Sequence, residues 1–186
     1  MYHLSHEDIS NETVMETKAP CRTPEKPSAG SVHRGVSEPL AAYAFEPYVS
    51  LFQATPEDRV RLIRQGVKAV ALVDTSKAMG IPRERLFVTL NLPAGTVKRK
   101  IAQDELLPPD QSERIIGLQK LIGQVETMVA ESGDPEGFDP AKWVAGWLDT
   151  PCQALGGDRP ADYMDTIEGQ RIVSELLGRM QSGAYA

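Results

Sequence analysis

Three aspartates near the C-terminal end of the chain have the types and spacing most suited to chemistry. Asp158, Asp162 and Asp165 lie close together in the sequence, and neighbouring carboxylates can transfer protons or bind a divalent cation. Two of them also have structural explanations, because Asp165 stands where the last helix should begin and Asp158 precedes Pro160 as an ordinary cap. No nucleophile paired with a base accompanies them, and there is no phosphate-binding loop. We therefore expect no catalytic site.

Histidines and cysteines do not form a site either. The histidines, His3, His6 and His33, all lie near the start of the chain, so the part expected to fold has none for acid–base chemistry. His3 and His6 would supply only part of the usual set of four zinc ligands. Cys21 and Cys152 are far apart and give neither metal spacing nor a disulfide framework, as is typical of a reducing compartment. The sequence predicts no metal and no cofactor.

A basic run in the middle of the chain could bind DNA. Val97 and Ile101 are four residues apart and should face the core of a helix. The polar side chains left outward are Thr96, Lys98, Arg99, Lys100 and Gln103. On a helix in the major groove, Lys and Arg contact phosphates while Thr or Gln contacts base edges. The alternative is an ordinary solvent-exposed helix face, and spacing alone does not decide between the two.

The elements that would position the basic run form a helix-turn-helix. Gly80 and Pro82 indicate that one helix ends and the next begins, over residues 82–90. Residues 91–93 (Asn-Leu-Pro) make a turn, and a second helix follows over about 93–103. Upstream, Thr55 with Asp58 three residues later is the pattern of a helix N-cap.

The longest helix is predicted over about residues 110–130. Its apolar residues recur at steps of three and four and form a broad stripe: Ile115, Ile116, Leu118, Leu121, Ile122, Val125, Met128 and Val129. A stripe of this width can face its own domain and a second copy of the chain together, or it can be core alone. Both interpretations stay open, and the first predicts a homodimer.

Composition divides the chain into an arm and two helical parts. Residues 1–39 contain few apolar side chains and many of Glu, Thr, Ser, Pro and Gly, so we expect a disordered arm. Residues 40–133 would hold the helix-turn-helix and a dimerisation region, and residues 134–186 a small C-terminal domain. Because helix signals occur throughout and no strand pattern is convincing, we predict an all-α fold.

Charge and hydropathy exclude several function classes. The formal net charge of −6 argues against a protein that coats polyanions generally, although a local basic patch is compatible with it. No apolar run reaches the length of a membrane span, and the polar N-terminus lacks the apolar region of a signal peptide. We expect a cytoplasmic protein with no membrane partner.

The C-terminal part has its own helix signals. Asp139 followed by Pro140 begins a helix whose apolar face holds Trp143 and Trp147. Pro151 cannot continue that helix.

The rest of this part is a turn and a last helix. Residues 155–157 (Leu-Gly-Gly) supply the turn. Asp165 with Glu168 three residues later resembles the start of the last helix. The apolar stripe of that helix ends at Met180, before a short tail that contains Tyr185.

The residues from Trp147 onward resemble a known family. They read W-L-x-T-P-x-x-A-L-G-G-x-x-P, then D-T-x-E-G, then L-L-G-R-M-x-x-G-A-Y. This run closely resembles the toxin-binding domain of Xre/ParS-type antitoxins, and a weaker likeness extends upstream to about Gln65. One departure concerns the helix that would read DNA, which usually begins with a Ser or Thr cap in the family. This chain has residues 93–95 (Pro-Ala-Gly) there, and glycine near a helix start costs up to about 1 kcal/mol relative to alanine.

The resemblance implies a type II toxin–antitoxin module. It implies that the chain binds a RES-type toxin that consumes NAD, blocks the active site of that toxin, and represses its own operon by binding operator DNA as a dimer. The residues expected to contact the toxin are Leu155, Gly156, Gly157, Arg179, Met180, Gly183, Ala184, Tyr185 and Ala186. Arg179 could form a bidentate pair with a toxin carboxylate, and the tail would reach the NAD site.

The alternative to an antitoxin is a plain helix-turn-helix regulator without a toxin partner. It would leave the Leu-Gly-Gly turn and the last residues of the chain explained only as turns and helix caps.

Overall fold

The computed structural model describes residues 47–132 and 136–181, and these residues are organised as helices. The helices are α1 (Pro47–Gln53), α2 (Pro56–Gln65), α3 (Val70–Met79), α4 (Arg83–Thr89), α5 (Ala94–Ala102), α6 (Pro109–Ser132), α7 (Pro140–Leu148) and α8 (Ile167–Gln181). Two short 3-10 helices, Gln153–Leu155 and Pro160–Tyr163, lie between α7 and α8. The expectation of an all-α fold is confirmed. The arm expected at 1–39 lies outside the described residues.

Strand pairing is almost absent from the part of the chain that the structure describes. Its one isolated bridge joins Lys68 to Leu106 in antiparallel fashion. No helix in these two ranges is both long enough and apolar enough to cross a membrane.

Two helices, α2 and α7, begin at the side-chain caps that the sequence indicated. The Thr55 hydroxyl accepts a hydrogen bond from the Asp58 backbone N–H at 3.1 Å, and the Asp139 carboxylate accepts one from the Lys142 N–H at 3.1 Å. Such bonds satisfy N–H groups that have no partner within the helix.

The prediction that Asp165 begins α8 was wrong. The N–H of Gly169 donates instead to the Thr166 hydroxyl, at 3.1 Å. Both residues have side chains that can cap a helix, so tertiary packing decides between them. A side-chain carbon at Gly169 would overlap the carbonyl oxygen of Tyr163, and this close approach fixes the position of the first turn of α8.

Helix α6 is the centre of the fold. It packs against α1, α2, α7 and α8. Seven of its stripe residues are buried: Ile115, Ile116, Leu118, Leu121, Ile122, Val125 and Val129. Because other helices of the same chain cover the stripe, the core-alone interpretation is sufficient, and the stripe gives no support to a homodimer.

One hydrophobic core joins the two expected halves of the chain. It contains Leu86 and Phe87 from α4, Val144 from α7, and Leu176 and Leu177 from α8. Helices before and after residue 133 are therefore stabilised by the same buried side chains.

Helix α1 packs closely against the backbone of α6 at Gly123. A side-chain carbon at Gly123 would overlap the carbonyl oxygen of Tyr48. We expect Gly123→Ala to push α1 away from α6 and to lower the free energy of unfolding by about 1–3 kcal/mol, the usual effect of overpacking a core. Urea denaturation measures this change. The matched control is Gly146→Ala in α7, where an added carbon meets nothing within 4 Å, and this variant should be at least as stable as the parent. Equal destabilisation of the two variants would contradict the close approach.

Candidate functional site

The helix-turn-helix predicted from the sequence is present as α4, a turn and α5. Val97 is fully buried and Leu92 is 7% exposed, so the turn and the inner face of α5 are anchored in the core. Asn91 takes a left-handed conformation with φ of 48°. The Arg114 guanidinium of α6 donates to the carbonyl oxygens of Leu90 and Asn91, at 3.3 and 2.8 Å. Packing and this cation hold the turn in place.

Most of the residues predicted to contact DNA are at the surface. Thr96, Lys98, Arg99 and Gln103 are exposed. Lys100 differs, because its side chain is only 19% exposed and its Nζ donates to the Leu106 carbonyl oxygen at 3.0 Å. The expectation that Lys100 points outward was therefore wrong, since the segment after α5 folds back over it.

Carboxylates of the same chain contact the cations of α5. Lys98 lies 3.1 Å from Glu84, while Arg99 and Lys100 each lie 3.0 Å from Glu105. The pKa of Glu105 is held below its usual range, chiefly by the hydrogen bond from Lys100. The pKa of Glu84 is lowered first by its own backbone N–H and then by Lys98. Both glutamates are therefore ionised at neutral pH.

The first turn of α5 is open to solvent. Pro93 occupies the N-cap position and makes no side-chain hydrogen bond to the helix. This agrees with the sequence, which has proline where the family usually has a Ser or Thr cap. Gly95 and Thr96 are exposed, and a carbon added at Gly95 would meet nothing within 4 Å. Another molecule can approach the backbone closely at this end of the helix.

The Leu-Gly-Gly turn is an exposed loop with a buried base. The Cys152 N–H donates to the Asp158 carbonyl oxygen at 2.9 Å, and the Gly157 N–H donates to the Cys152 carbonyl oxygen at 3.0 Å. Gly156 and Gly157 have φ of 70° and 98°, a region that side-chain-bearing residues rarely adopt. Added carbons there would contact nothing, so the backbone conformation and not packing requires the glycines. Leu155 is half-buried and packs against the core.

The end of α8 separates the remaining candidate residues. Arg179 is exposed, whereas Met180 is 5% exposed and belongs to the core. Little of Met180 is therefore accessible for the predicted toxin contact, because it belongs to the apolar stripe of α8. The other predicted contacts, Gly183, Ala184, Tyr185 and Ala186, lie outside the described residues.

Two of the three aspartates, Asp158 and Asp162, accept hydrogen bonds from neighbouring side chains. Asp162 accepts hydrogen bonds from Arg159 at 2.6 and 3.1 Å, which holds its pKa below the usual range. Asp158 accepts from the Tyr163 hydroxyl at 3.1 Å; it does not cap the following 3-10 helix, whose N-cap is Arg159. No group of three or more His, Cys, Asp or Glu side chains within the described ranges could hold a metal ion.

An open cleft separates α4 from these aspartates. Its volume is about 480 Å³, and Arg85, Asp149, Arg159 and Asp162 contribute to its lining. Arg85 and Asp149 form an ion pair across it, which links the helix-turn-helix to the C-terminal part.

Sequence reasoning missed the two glutamates that hold the α5 cations. Glu105 lies a few residues after Arg99 and Lys100, so proximity in the sequence could have indicated it. Glu84 is on another helix, and only the packing of α4 against α5 brings it to Lys98.

Comparison with known proteins gives two family-model matches. Residues 58–120 match the antitoxin Xre-like helix-turn-helix domain, and residues 135–183 match the antitoxin Xre/MbcA/ParS C-terminal toxin-binding domain.

Individual relatives cover most of the chain. A protein named Prs ADP-ribosylating antitoxin, from a Sphingobium species, is 45% identical over 75% of this chain and 87% of its own length. A protein named Antitoxin Xre from Yersinia enterocolitica is 23% identical over 70% of this chain and 86% of its own. Another Antitoxin Xre, from Pseudomonas putida, is 26% identical over 65% of this chain and 69% of its own.

Proposed function

Because the chain belongs to the Xre/MbcA/ParS family of antitoxins, we propose that it neutralises a RES-type toxin and represses its own operon by binding operator DNA. The coarser part of this statement follows from family membership: the chain is the antitoxin of a toxin–antitoxin system and has a toxin-binding domain. The class of toxin and the binding of DNA are the proposal.

The toxin-binding domain at residues 135–183 is the observation that carries the first half of the proposal. The name of the Sphingobium relative refers to ADP-ribosylation of Prs. ADP-ribosylation takes ADP-ribose from NAD, and NAD is also what the resemblance implies that a RES-type toxin consumes. The two indications therefore agree on a toxin that uses NAD.

Neutralisation is steric and needs no catalytic group on the antitoxin. The described residues that we assign to the toxin contact are the exposed Gly156, the half-buried Gly157 and the exposed Arg179. A guanidinium can bind a carboxylate of the toxin through two parallel hydrogen bonds. Residues 183–186 would reach the NAD site and exclude the substrate.

Co-purification of the full chain with the toxin encoded beside its gene tests this assignment. We expect a stable complex, formed in the cytoplasm. A plain regulator, the alternative function, would have neither a neighbouring toxin gene nor such a complex.

DNA binding is supported by the exposed outer face of α5 and by its open first turn. Lys98 and Arg99 can contact phosphates, while Thr96 and Gln103 can contact base edges. Proteins of this type bind two half-sites as dimers, so we include a homodimer in the proposal. Because the α6 stripe is covered within one chain, the dimer contact must use another surface.

Replacing both exposed cations should abolish this binding. We expect Lys98→Ala with Arg99→Ala to eliminate operator binding and to reduce the slope of log affinity against log salt by about two units, one for each phosphate contact. Fluorescence anisotropy at several salt concentrations measures both quantities.

The matched control removes two exposed cations from the C-terminal part, Lys142→Ala with Arg171→Ala. It should bind DNA as the parent does. Since exposed ion pairs contribute little to stability, the Lys98 and Arg99 variant should still fold and neutralise the toxin. Operator binding by that variant at unchanged salt would contradict the assignment of α5.

A further inference from the structure

The cations of α5 are already occupied by carboxylates of the same chain. Glu84 Oε1 lies 3.1 Å from Lys98 Nζ. Glu105 uses both of its oxygens, since Oε1 lies 3.0 Å from Arg99 Nη1 and Oε2 lies 3.0 Å from Lys100 Nζ. Three cations of α5 therefore face two carboxylates, and Glu84 Oε1 also lies 3.2 Å from Nε of Arg83 on α4.

These carboxylates lie beside the cations that are proposed to contact DNA phosphates. The side chains of Glu84 and Glu105 are 54% and 37% exposed, and those of Lys98 and Arg99 are 46% and 54% exposed. A phosphate that approaches α5 must displace a carboxylate from its cation or remain beside it. Either outcome opposes binding, because the first breaks an ion pair and the second places like charges together.

We propose that Glu84 and Glu105 limit the affinity of this protein for DNA by occupying the cations that would otherwise contact phosphate. This inference depends on the proposed binding of operator DNA by α5. It assigns to the two glutamates the role of keeping the electrostatic, sequence-independent part of that binding weak. The base contacts from the outer face of α5 then make up a larger share of the affinity for the operator.

The fold does not need the charge of either glutamate. The backbone N–H of Glu105 donates to the Lys100 carbonyl oxygen at 2.9 Å, and its carbonyl oxygen accepts from the Ala69 N–H at 2.9 Å. Both bonds survive a change from carboxylate to amide. Lys100 also keeps its bond to the Leu106 carbonyl oxygen. Glu84 is in the first turn of α4 on an exposed face, where glutamine is equally compatible with a helix.

The test compares the double variant Glu84→Gln with Glu105→Gln against the parent protein, on two duplexes of equal length. One duplex covers the DNA upstream of its gene and the other has a random sequence. We expect the variant to bind both about tenfold more tightly at the same salt, with a salt dependence steeper by about one unit for each carboxylate removed. The ratio of affinities for the two duplexes should not increase.

Asp104→Asn is the matched control. Asp104 is adjacent to Glu105 and loses the same charge on substitution, but its partner is Lys68 and not a cation of α5. Its φ of 50° suits asparagine as well as aspartate. We expect this variant to gain about twofold or less, from the general change in protein charge.

Three results would overturn the inference, and they separate it from the proposed function. Unchanged affinity of the double variant, while Lys98→Ala with Arg99→Ala still abolishes binding, would reject the role of the glutamates and keep DNA binding by α5. If Asp104→Asn gained as much DNA affinity as the double variant, the cause would be the net charge of the protein and not the pairing of the glutamates with the α5 cations. Failure of the parent and every variant to bind either duplex would reject the inference and DNA binding together.

Discussion

Replacing Trp147 by alanine is expected to lower the free energy of unfolding by about 3–5 kcal/mol, a large part of the stability of a typical domain. Trp147 is 5% exposed, and its ring stacks on Trp143 with centroids 5.8 Å apart and planes 9° apart. Helix α7 packs against α3 and α6, so the cavity left by the ring would open in the core that both halves share. Urea denaturation followed by circular dichroism measures the change.

The phenylalanine variant is the control for this prediction. Among the described residues, the Trp147 indole N–H has no hydrogen-bond partner, so Trp147→Phe loses packing but no hydrogen bond. We expect it to cost about 1–2 kcal/mol. Because the core is shared, Trp147→Ala should weaken DNA binding and toxin binding together. A Trp147→Ala protein as stable as the parent would place the ring outside the core.

Features determined by short stretches of sequence could be predicted well. Thr55 and Asp139 cap helices through backbone groups three residues away. The turn at Asn91 was indicated by residues 91–93 (Asn-Leu-Pro). The spacing of Val97 and Ile101 correctly assigned the inner face of α5. These signals act within one helical turn, so they can be read without knowledge of the tertiary structure.

Features determined by tertiary packing could not be predicted. Asp165 and Thr166 are both good caps, and the contact of Gly169 with Tyr163 decides between them. The approach of α1 to Gly123 joins residues far apart in the sequence. The pairing of Lys98 with Glu84 likewise depends on how two helices meet. The stripe of α6 indicated burial correctly, but a stripe alone does not show which chain covers it.

Deleting Ser182–Ala186 is expected to abolish neutralisation of the toxin without unfolding the antitoxin. The buried apolar side chains of α8 (Val173, Leu176, Leu177 and Met180) all precede this segment, so the core keeps them. The apolar pattern of the helix ends at Met180, before Tyr185. A tail that fills the NAD site would account for an aromatic residue at that position.

The complementary change keeps the length of the tail. Tyr185→Ala should reduce neutralisation less than the deletion does, because under the proposed arrangement it removes one side chain and keeps the rest of the tail. Arg179 stays in place in both variants. Thermal unfolding of each variant is the control for folding, and we expect both melting temperatures to stay close to that of the parent.

The central claim, the proposed neutralisation of an NAD-consuming toxin, is tested most directly by titrating the antitoxin into the proposed partner toxin and measuring NAD consumption. We expect the full chain to stop NAD consumption once it equals the toxin in concentration. The Lys98→Ala, Arg99→Ala protein should do the same, since it keeps the toxin-binding domain, whereas the chain lacking Ser182–Ala186 should leave consumption unchanged. Inhibition by the truncated chain would place the blocking group in the body of the domain. NAD consumption that continues unchanged in excess full-length antitoxin would contradict the claim itself.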